Sequence, residues 1–159
     1  AADALEVHGN VFVGTNLTIE TVKRFETINL AIAERFLASP HQPSFFFKYK
    51  WIDLDAAEAL AKHTAGLFLS GLTSISVEVA EALAKHTSDE GLELSGLTSI
   101  SVEVAEALAK HPDGLFLSGL TSISVEVAEA LAKCSYLDIP LDSLPPAAAQ
   151  ILRDAGHGE

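Results

Sequence analysis

Three copies of one stretch run through the middle of the chain: Gly71-Leu-Thr-Ser-Ile-Ser-Val-Glu-Val-Ala-Glu-Ala-Leu-Ala-Lys85 returns unchanged as Gly96–Lys110 and as Gly119–Lys133. The copies start 25 and then 23 residues apart. A unit this short cannot bury its own apolar face, so neighbouring copies must stack and share one core. The repeat therefore predicts a solenoid rather than a round domain.

Each repeat contains two different periodicities. Leu67-Phe-Leu69 alternates as a short strand does, whereas apolar residues in Val77–Lys85 recur at helical spacing after Ser76, a residue suited to an N-cap. Strand, turn, helix and return loop in so few residues favour a right-handed coil of βα units. The predicted fold class is α/β, a leucine-rich-repeat-like solenoid with parallel strands on one face and helices on the other.

Degenerate copies flank the identical ones. Phe45–His63 aligns with the repeat after one deletion at the position of Gly71, and Leu137–Arg153 is a terminal copy with the same deletion. Thr27–Phe36 matches the apolar pattern of Ser74–Leu83. Terminal repeats are expected to be atypical because they present a polar outer face to water.

These copies predict three regions. An N-terminal cap over residues 1–44 would contain a hairpin at Leu5–Val13 and a helix. The βα array would cover residues 45–140, with about four repeats. Residues 141–159 would form a C-terminal capping repeat whose helix begins at Pro145-Pro146 and whose polar tail, Asp154–Glu159, is frayed.

Composition limits the classes of partner. Apolar residues make up 48% of the 159 positions, enough for an ordered core, and the formal net charge is −12. An acidic chain repels phosphate backbones, so nucleic acid and anionic membranes are poor partners. No apolar run approaches the roughly 18 residues of a membrane span. The single cysteine, Cys134, fits both a cytoplasmic and a secreted or envelope location, so the compartment is left open.

The repeat resembles a known family. Leu-x-Leu-x-Gly-Leu-x-x-Ile-Ser, followed by Ala-Glu-Ala-Leu-Ala-Lys-His, is similar to the leucine-rich repeats of large bacterial arrays, especially planctomycete-type proteins, over about residues 45–153. The Asn or Cys column that usually follows the strand is missing, and Ser70-Gly71-Leu72 occupies that turn. The resemblance implies a curved solenoid that binds other molecules, and it implies no catalytic residues.

Stacking turns equivalent positions into columns on the sheet face. The first outward column is predicted to be Phe46, Phe68, Glu93, Phe116 and Asp138, and the next is Ser70, Ser95 and Ser118. Exposed aromatic side chains with charged neighbours often mark an interaction surface, so these residues are the candidate site for a protein or glycan ligand. The alternative is that the aromatic rings only cover the sheet or pack against the caps.

Two other clusters have structural explanations. Phe45–Trp51 mixes aromatic and basic residues as single-stranded nucleic-acid sites do, but with this net charge it is better explained as a seal against the N-terminal cap. His63, His86, His111 and Cys134 form a column of zinc-type ligands. Helices pack about 8–10 Å apart, whereas zinc ligands lie within about 2.3 Å of one ion, so no metal site is expected.

Sequence templates of catalysis are absent: the chain has no Gly-Lys-Ser phosphate loop, His-Glu-x-x-His or Gly-x-Ser-x-Gly. We therefore expect no enzyme and no cofactor, but a protein-interaction module. One alternative is a structural spacer, or a self-associating segment of a larger cell-surface protein, in which weak homo-association replaces a separate ligand. Another is an engineered array without a natural ligand, which the irregular repeat lengths disfavour.

Overall fold

The computed structural model describes residues 25–38 and 44–158, so the hairpin expected at Leu5–Val13 lies outside the described residues. The seven described strands each have two or three residues: β1 (Thr27–Ile28), β2 (Ser44–Phe45), β3 (Trp51–Ile52), β4 (Leu67–Phe68), β5 (Leu92–Glu93), β6 (Gly114–Phe116) and β7 (Tyr136–Asp138). The six described α-helices are α1 (Leu30–Leu37), α2 (Leu54–Leu60), α3 (Val77–Leu83), α4 (Val102–Leu108), α5 (Val125–Leu131) and α6 (Pro146–Asp154). A 3₁₀ turn covers Leu141–Ser143.

The strands are parallel, as the repeat predicts. Five of them form one sheet in the order β2-β4-β5-β6-β7, and β1 pairs with β3 in a second sheet. In the larger sheet Leu67, Leu92, Leu115 and Leu137 lie in register, and each helix packs against the next helix along the chain. The chain is therefore an α/β protein in which short parallel strands alternate with helices.

Serine caps begin the helices of the identical copies. The Ser76 hydroxyl accepts a hydrogen bond from the Val79 N–H at 3.3 Å, and Ser101 and Ser124 make the same contact in α4 and α5. The predicted cap is thus confirmed. Helix α3 ends at Leu83 rather than at Lys85, because the Lys85 N–H bonds back three residues to the Ala82 carbonyl and tightens the last turn.

One apolar core joins the strands and the helices. In the three identical copies the equivalent leucines of the strand and turn are fully buried, and so are an alanine and a leucine of each helix. In the first identical copy these residues are Leu67, Leu69, Leu72, Ala80 and Leu83. Because every copy shares this core with its neighbours, no copy is expected to be stable alone.

Glycine occupies the turns after β4, β5 and β6 because neighbouring turns approach closely. The turn closes with a hydrogen bond from the Leu72 N–H to the Leu69 carbonyl at 3.0 Å. A Cβ atom added at Gly96 would collide with the carbonyl oxygens of Ser70 and Leu72 in the preceding copy. Backbone contact between successive glycine turns therefore joins neighbouring copies.

The alignment predicted for the first degenerate copy is wrong. Ser44 pairs with Leu67 and Phe45 with Phe68, and the Tyr49 N–H closes the turn on the Phe46 carbonyl at 3.1 Å. The copy therefore has a complete strand and turn, without the deletion that the sequence suggested. Phe46 occupies a core position and is only 5% exposed.

The C-terminal copy does carry the deletion predicted for it. Its strand residue Leu137 pairs with Leu115, but the stretch from Leu137 to the cap Pro145 is one position shorter than the stretch from Leu115 to the cap Ser124. Pro146 is the first residue of α6, as expected. The prediction of a frayed tail is wrong through Gly158, because the His157 N–H bonds to the Leu152 carbonyl at 3.0 Å and the ring is buried.

Candidate functional site

The predicted outward column exists, with one correction. The register places Phe45, not Phe46, beside Phe68, and the column continues through Glu93, Phe116 and Asp138. Sequence reasoning missed this shift because Phe45, Phe46 and Phe47 are identical side chains in a row and give no local signal of register. We call Phe68, Glu93, Phe116 and Asp138 the strand-face column.

Glycines make room for the aromatic rings of this column. A Cβ atom added at Gly66 would lie 3.0 Å from the Phe68 ring, and one added at Gly91 would lie 3.0 Å from the Phe116 ring. The Phe116 ring also contacts Tyr136, with the ring centroids 5.9 Å apart. Phe68 and Phe116 are partly exposed, so each ring covers backbone on one side and still presents surface to solvent.

Carboxylates alternate with the rings. Glu93 is partly exposed between Phe68 and Phe116, and Asp138 is exposed at the far end of the column. The Glu90 carboxylate accepts a hydrogen bond from the Gly66 N–H at 3.1 Å beside the same face. The strand face is therefore apolar and acidic together, which suits a partner that carries both apolar and cationic groups.

The predicted serine column lies at the edge of this face. Ser70 and Ser95 are partly exposed and Ser118 is exposed, all in the glycine turns. Their backbone carbonyls lie against the glycine of the next turn, as the contacts of Ser70 with Gly96 and of Ser95 with Gly119 show. These serines thus have a structural place in the turn.

A cavity of about 230 Å³ lies at the carboxyl-terminal end of the column. Its lining includes Tyr136, Asp138 and His157, together with the buried Cys134. Burial raises the pKa of the Cys134 thiol to about 11, so the thiol stays protonated near neutral pH. The Cys134 thiol is therefore not an activated nucleophile, and the exposed Asp138 carboxylate lies at the same cavity.

The histidine column is buried in the interior rather than displayed. The His86 Nε2–H donates to the Ala65 carbonyl at 3.0 Å, and His111 Nδ1 accepts from the Asp113 N–H at 3.2 Å. The two ring centroids are 5.9 Å apart, and His63 packs edge-on to the Phe36 ring. Within the part of the chain that the structure describes, the second ring nitrogens of His86 and His111 have no hydrogen-bond partner.

Burial favours the neutral form of two of these rings, His86 and His111. It lowers the pKa of His86 and the pKa of His111 below the ordinary value of 6.5, and the neighbouring His111 and His63 lower the pKa of His86 further. Across residues 25–38 and 44–158, no group of three His, Cys, Asp or Glu side chains is arranged to hold a metal ion. The lowered pKa values favour the neutral form of His86 and of His111 inside the protein.

The aromatic and basic segment of the first copy packs against Glu26 and helix α1, on the N-terminal side of the fold. The Lys50 ammonium pairs with the Glu26 carboxylate at 3.2 Å, and the Lys48 ammonium lies 5.1 Å from the centre of the Tyr49 ring. Phe46 packs edge-on to the Phe36 ring of α1 at 5.3 Å. These contacts are those expected of a seal between the first copy and α1.

Comparison of the chain with protein-family models, with curated proteins and with solved structures finds no significant match. Among the described helices, none is both long and apolar enough to cross a bilayer.

Proposed function

We propose that this chain is a non-enzymatic interaction module, a leucine-rich-repeat-like solenoid that binds a protein ligand on its sheet face. The observation that carries the proposal is the strand-face column, in which the partly exposed rings of Phe68 and Phe116 alternate with the carboxylates of Glu93 and Asp138. A face built only for solubility has no need of aromatic rings at its centre.

Internal comparison of the copies supports the same surface. Gly66–Lys85, Gly91–Lys110 and Gly114–Lys133 are identical at every position except the strand-face one, which is Phe68, Glu93 and Phe116. A scaffold that keeps its structure and changes one surface position is typical of a repeat module adapted to a ligand.

Self-association of a larger surface protein is the second candidate function. Phe47 and Tyr136 are the most exposed large apolar side chains among the described residues, 63% and 57% exposed. They lie next to β2 and in β7, the two edge strands of the five-stranded sheet. Exposed aromatic residues at both ends would suit head-to-tail contacts between copies of the chain.

A comparison of variants tests the proposal. The wild type and Phe68→Ser/Phe116→Ser would be screened against protein and glycan arrays, after circular dichroism has confirmed that both are folded. Val125→Ser is the matched control, because Val125 is 40% exposed on helix α5, away from the strand face. We expect protein ligands that the control retains and the double variant loses.

Three other results would contradict the proposed site or change the proposed ligand. Equal binding by all three proteins would exclude the strand face as the site. Glycan hits lost in the double variant would replace a protein ligand by a carbohydrate. Association that rises with protein concentration and is lost in Phe47→Ser/Tyr136→Ser, measured by sedimentation, would favour the self-associating segment instead.

A further inference from the structure

The spacing of the strand-face column restricts the shape of its partner. Neighbouring strands in a sheet lie about 4.8 Å apart, so Phe68 and Phe116, two strands apart, repeat at about 9.6 Å across the sheet. Glu93 and Asp138 repeat at the same interval, offset by one strand. A partner lying across the strands meets apolar and acidic groups alternately.

One backbone conformation matches this interval. A polyproline II helix has three residues per turn and rises about 3.1 Å per residue, so one of its faces repeats at about 9.3 Å. In an extended strand, side chains on one face repeat every two residues, at about 6.7 Å. The residue three positions on, which is nearer to the required distance, points to the opposite face. An α-helix repeats at about 5.4 Å per turn and fits neither one nor two strand spacings as closely.

Charge completes the description of the partner. The chain has a formal net charge of −12, and Glu93 lies between Phe68 and Phe116 while Asp138 follows Phe116. Asp138 also borders the 230 Å³ cavity at the end of the column. Arg is well suited to such carboxylates because its guanidinium binds them through two parallel hydrogen bonds.

We infer that the ligand is a basic, proline-rich segment in the polyproline II conformation, lying across the strands. Its prolines pack on the rings of Phe68 and Phe116, and its Arg side chains bind Glu93 and Asp138. Proline-rich segments generally dock in grooves that aromatic side chains line. Their binding costs little conformational entropy because the polyproline II helix is already formed in the free ligand. This inference rests on the proposed function and specifies its partner class.

Three nine-residue peptides test the inference by isothermal titration calorimetry. Each is three repeats of one triplet: Pro-Pro-Arg, Gly-Ser-Arg with the same charge in a flexible chain, or Pro-Pro-Glu with the opposite charge. We expect the Pro-Pro-Arg peptide to bind at least about tenfold more tightly than either other peptide. Equal binding of the two Arg peptides would overturn the inference, since charge alone would then explain the affinity.

Protein variants locate the peptide on the face. Phe68→Ser/Phe116→Ser and Glu93→Gln/Asp138→Asn are each expected to weaken the Pro-Pro-Arg peptide by about tenfold or more. Val125→Ser, the control on helix α5, should leave the affinity unchanged. Binding that survives both double variants would place the peptide elsewhere and overturn the inference.

A peptide library separates this inference from the function on which it rests. Random peptides selected on the wild type and counter-selected on Phe68→Ser/Phe116→Ser should be enriched in Pro and Arg. Selected peptides that depend on the two rings but lack proline would overturn the polyproline ligand and leave the binding function standing. If neither the library nor the protein arrays yield ligands that depend on the rings, both proposals fail.

Discussion

The turn-and-helix segment and the strand face of the same copies differ sharply in how much they vary. From Gly71 to Lys85 every residue returns in both later copies, including exposed ones such as Thr73 and Glu81. On the strand face, the equivalent residues are Phe68, Glu93 and Phe116. Exposure alone therefore does not explain the variation, because exposed helix positions are unchanged while the strand position is not.

Packing explains part of this difference. Leu72, Leu97 and Leu120 are fully buried and equivalent, and each glycine turn lies against the turn before it, so a change there is felt in two copies at once. The residues of the strand-face column are partly exposed or exposed. The exposed Thr73 donates a hydrogen bond from its hydroxyl to the Lys50 carbonyl of the preceding copy at 3.4 Å, whereas packing does not explain why exposed Glu81 is also repeated.

Gly96→Ala gives the largest expected effect on stability. The new Cβ would overlap the carbonyl oxygens of Ser70 and Leu72, and because both are backbone atoms the turn must shift. We expect a loss of about 1–3 kcal/mol in the free energy of unfolding, measured by equilibrium urea denaturation. Glu93→Gln, in the same copy, should change that free energy by less than about 0.5 kcal/mol.

Gly114→Ala is the matched control for the glycine effect. At Gly114 the nearest neighbours of an added Cβ are side-chain atoms of Phe116 and Tyr136, at 3.2 and 3.4 Å. Because side chains can move, the loss should be smaller than for Gly96→Ala. Equal losses at both glycines would contradict the assignment of the turn as the joint between copies.

The second-largest expected effect is a fall in the free energy of unfolding on acidification. Burial lowers the pKa of His86 and the pKa of His111, so the unfolded chain binds protons that the folded chain excludes. The contribution of these two neutral histidines to the free energy of unfolding is thus fully present above the ordinary histidine pKa of 6.5, and it falls as the pH drops below that value. His63 and Asp113 are the other titratable groups that act on these rings, His63 lowering and Asp113 raising the pKa of His86.

His86→Gln measures this acid effect. The amide keeps a donor for the Ala65 carbonyl but does not titrate, so the loss of stability between about pH 7 and about pH 5 should be shallower than in the wild type. Urea denaturation at each pH gives the slope. The same slope in both proteins would show that the buried imidazole is not the group responsible.

Ser101→Ala should have the smallest of the three effects. It removes the hydroxyl that accepts from the Val104 N–H at 3.3 Å, and a lost N-cap costs about 1 kcal/mol. Asp53→Ala is the comparison in the first degenerate copy, because Asp53 makes no side-chain cap hydrogen bond to helix α2. Thermal unfolding should show a lower Tm for Ser101→Ala than for Asp53→Ala, and the reverse order would contradict this assignment.

Comparison of equivalent positions predicted several features well. It gave the serine caps of the identical copies, the parallel strands and the deletion in the last copy. Register in the first copy was misread because Phe45, Phe46 and Phe47 are indistinguishable without their partners. The tail was misread because Gly156 takes φ of +89° and turns the chain so that His157 is buried, which polarity alone does not reveal.

The glycine turns also repeat one kind of joint along the array. Gly71, Gly96 and Gly119 each lie against backbone carbonyls of the preceding turn, so the glycine joint itself would survive the exchange or removal of one identical copy. The unequal lengths of the copies arise between His86 and Gly91, against His111 and Gly114, in the return loop away from those joints. Adding or removing one unit would therefore preserve the glycine joints and change the order of rings and carboxylates, but it would also bring together return loops whose contacts differ, such as Glu90 with Gly66 and Asp113 with Ser88.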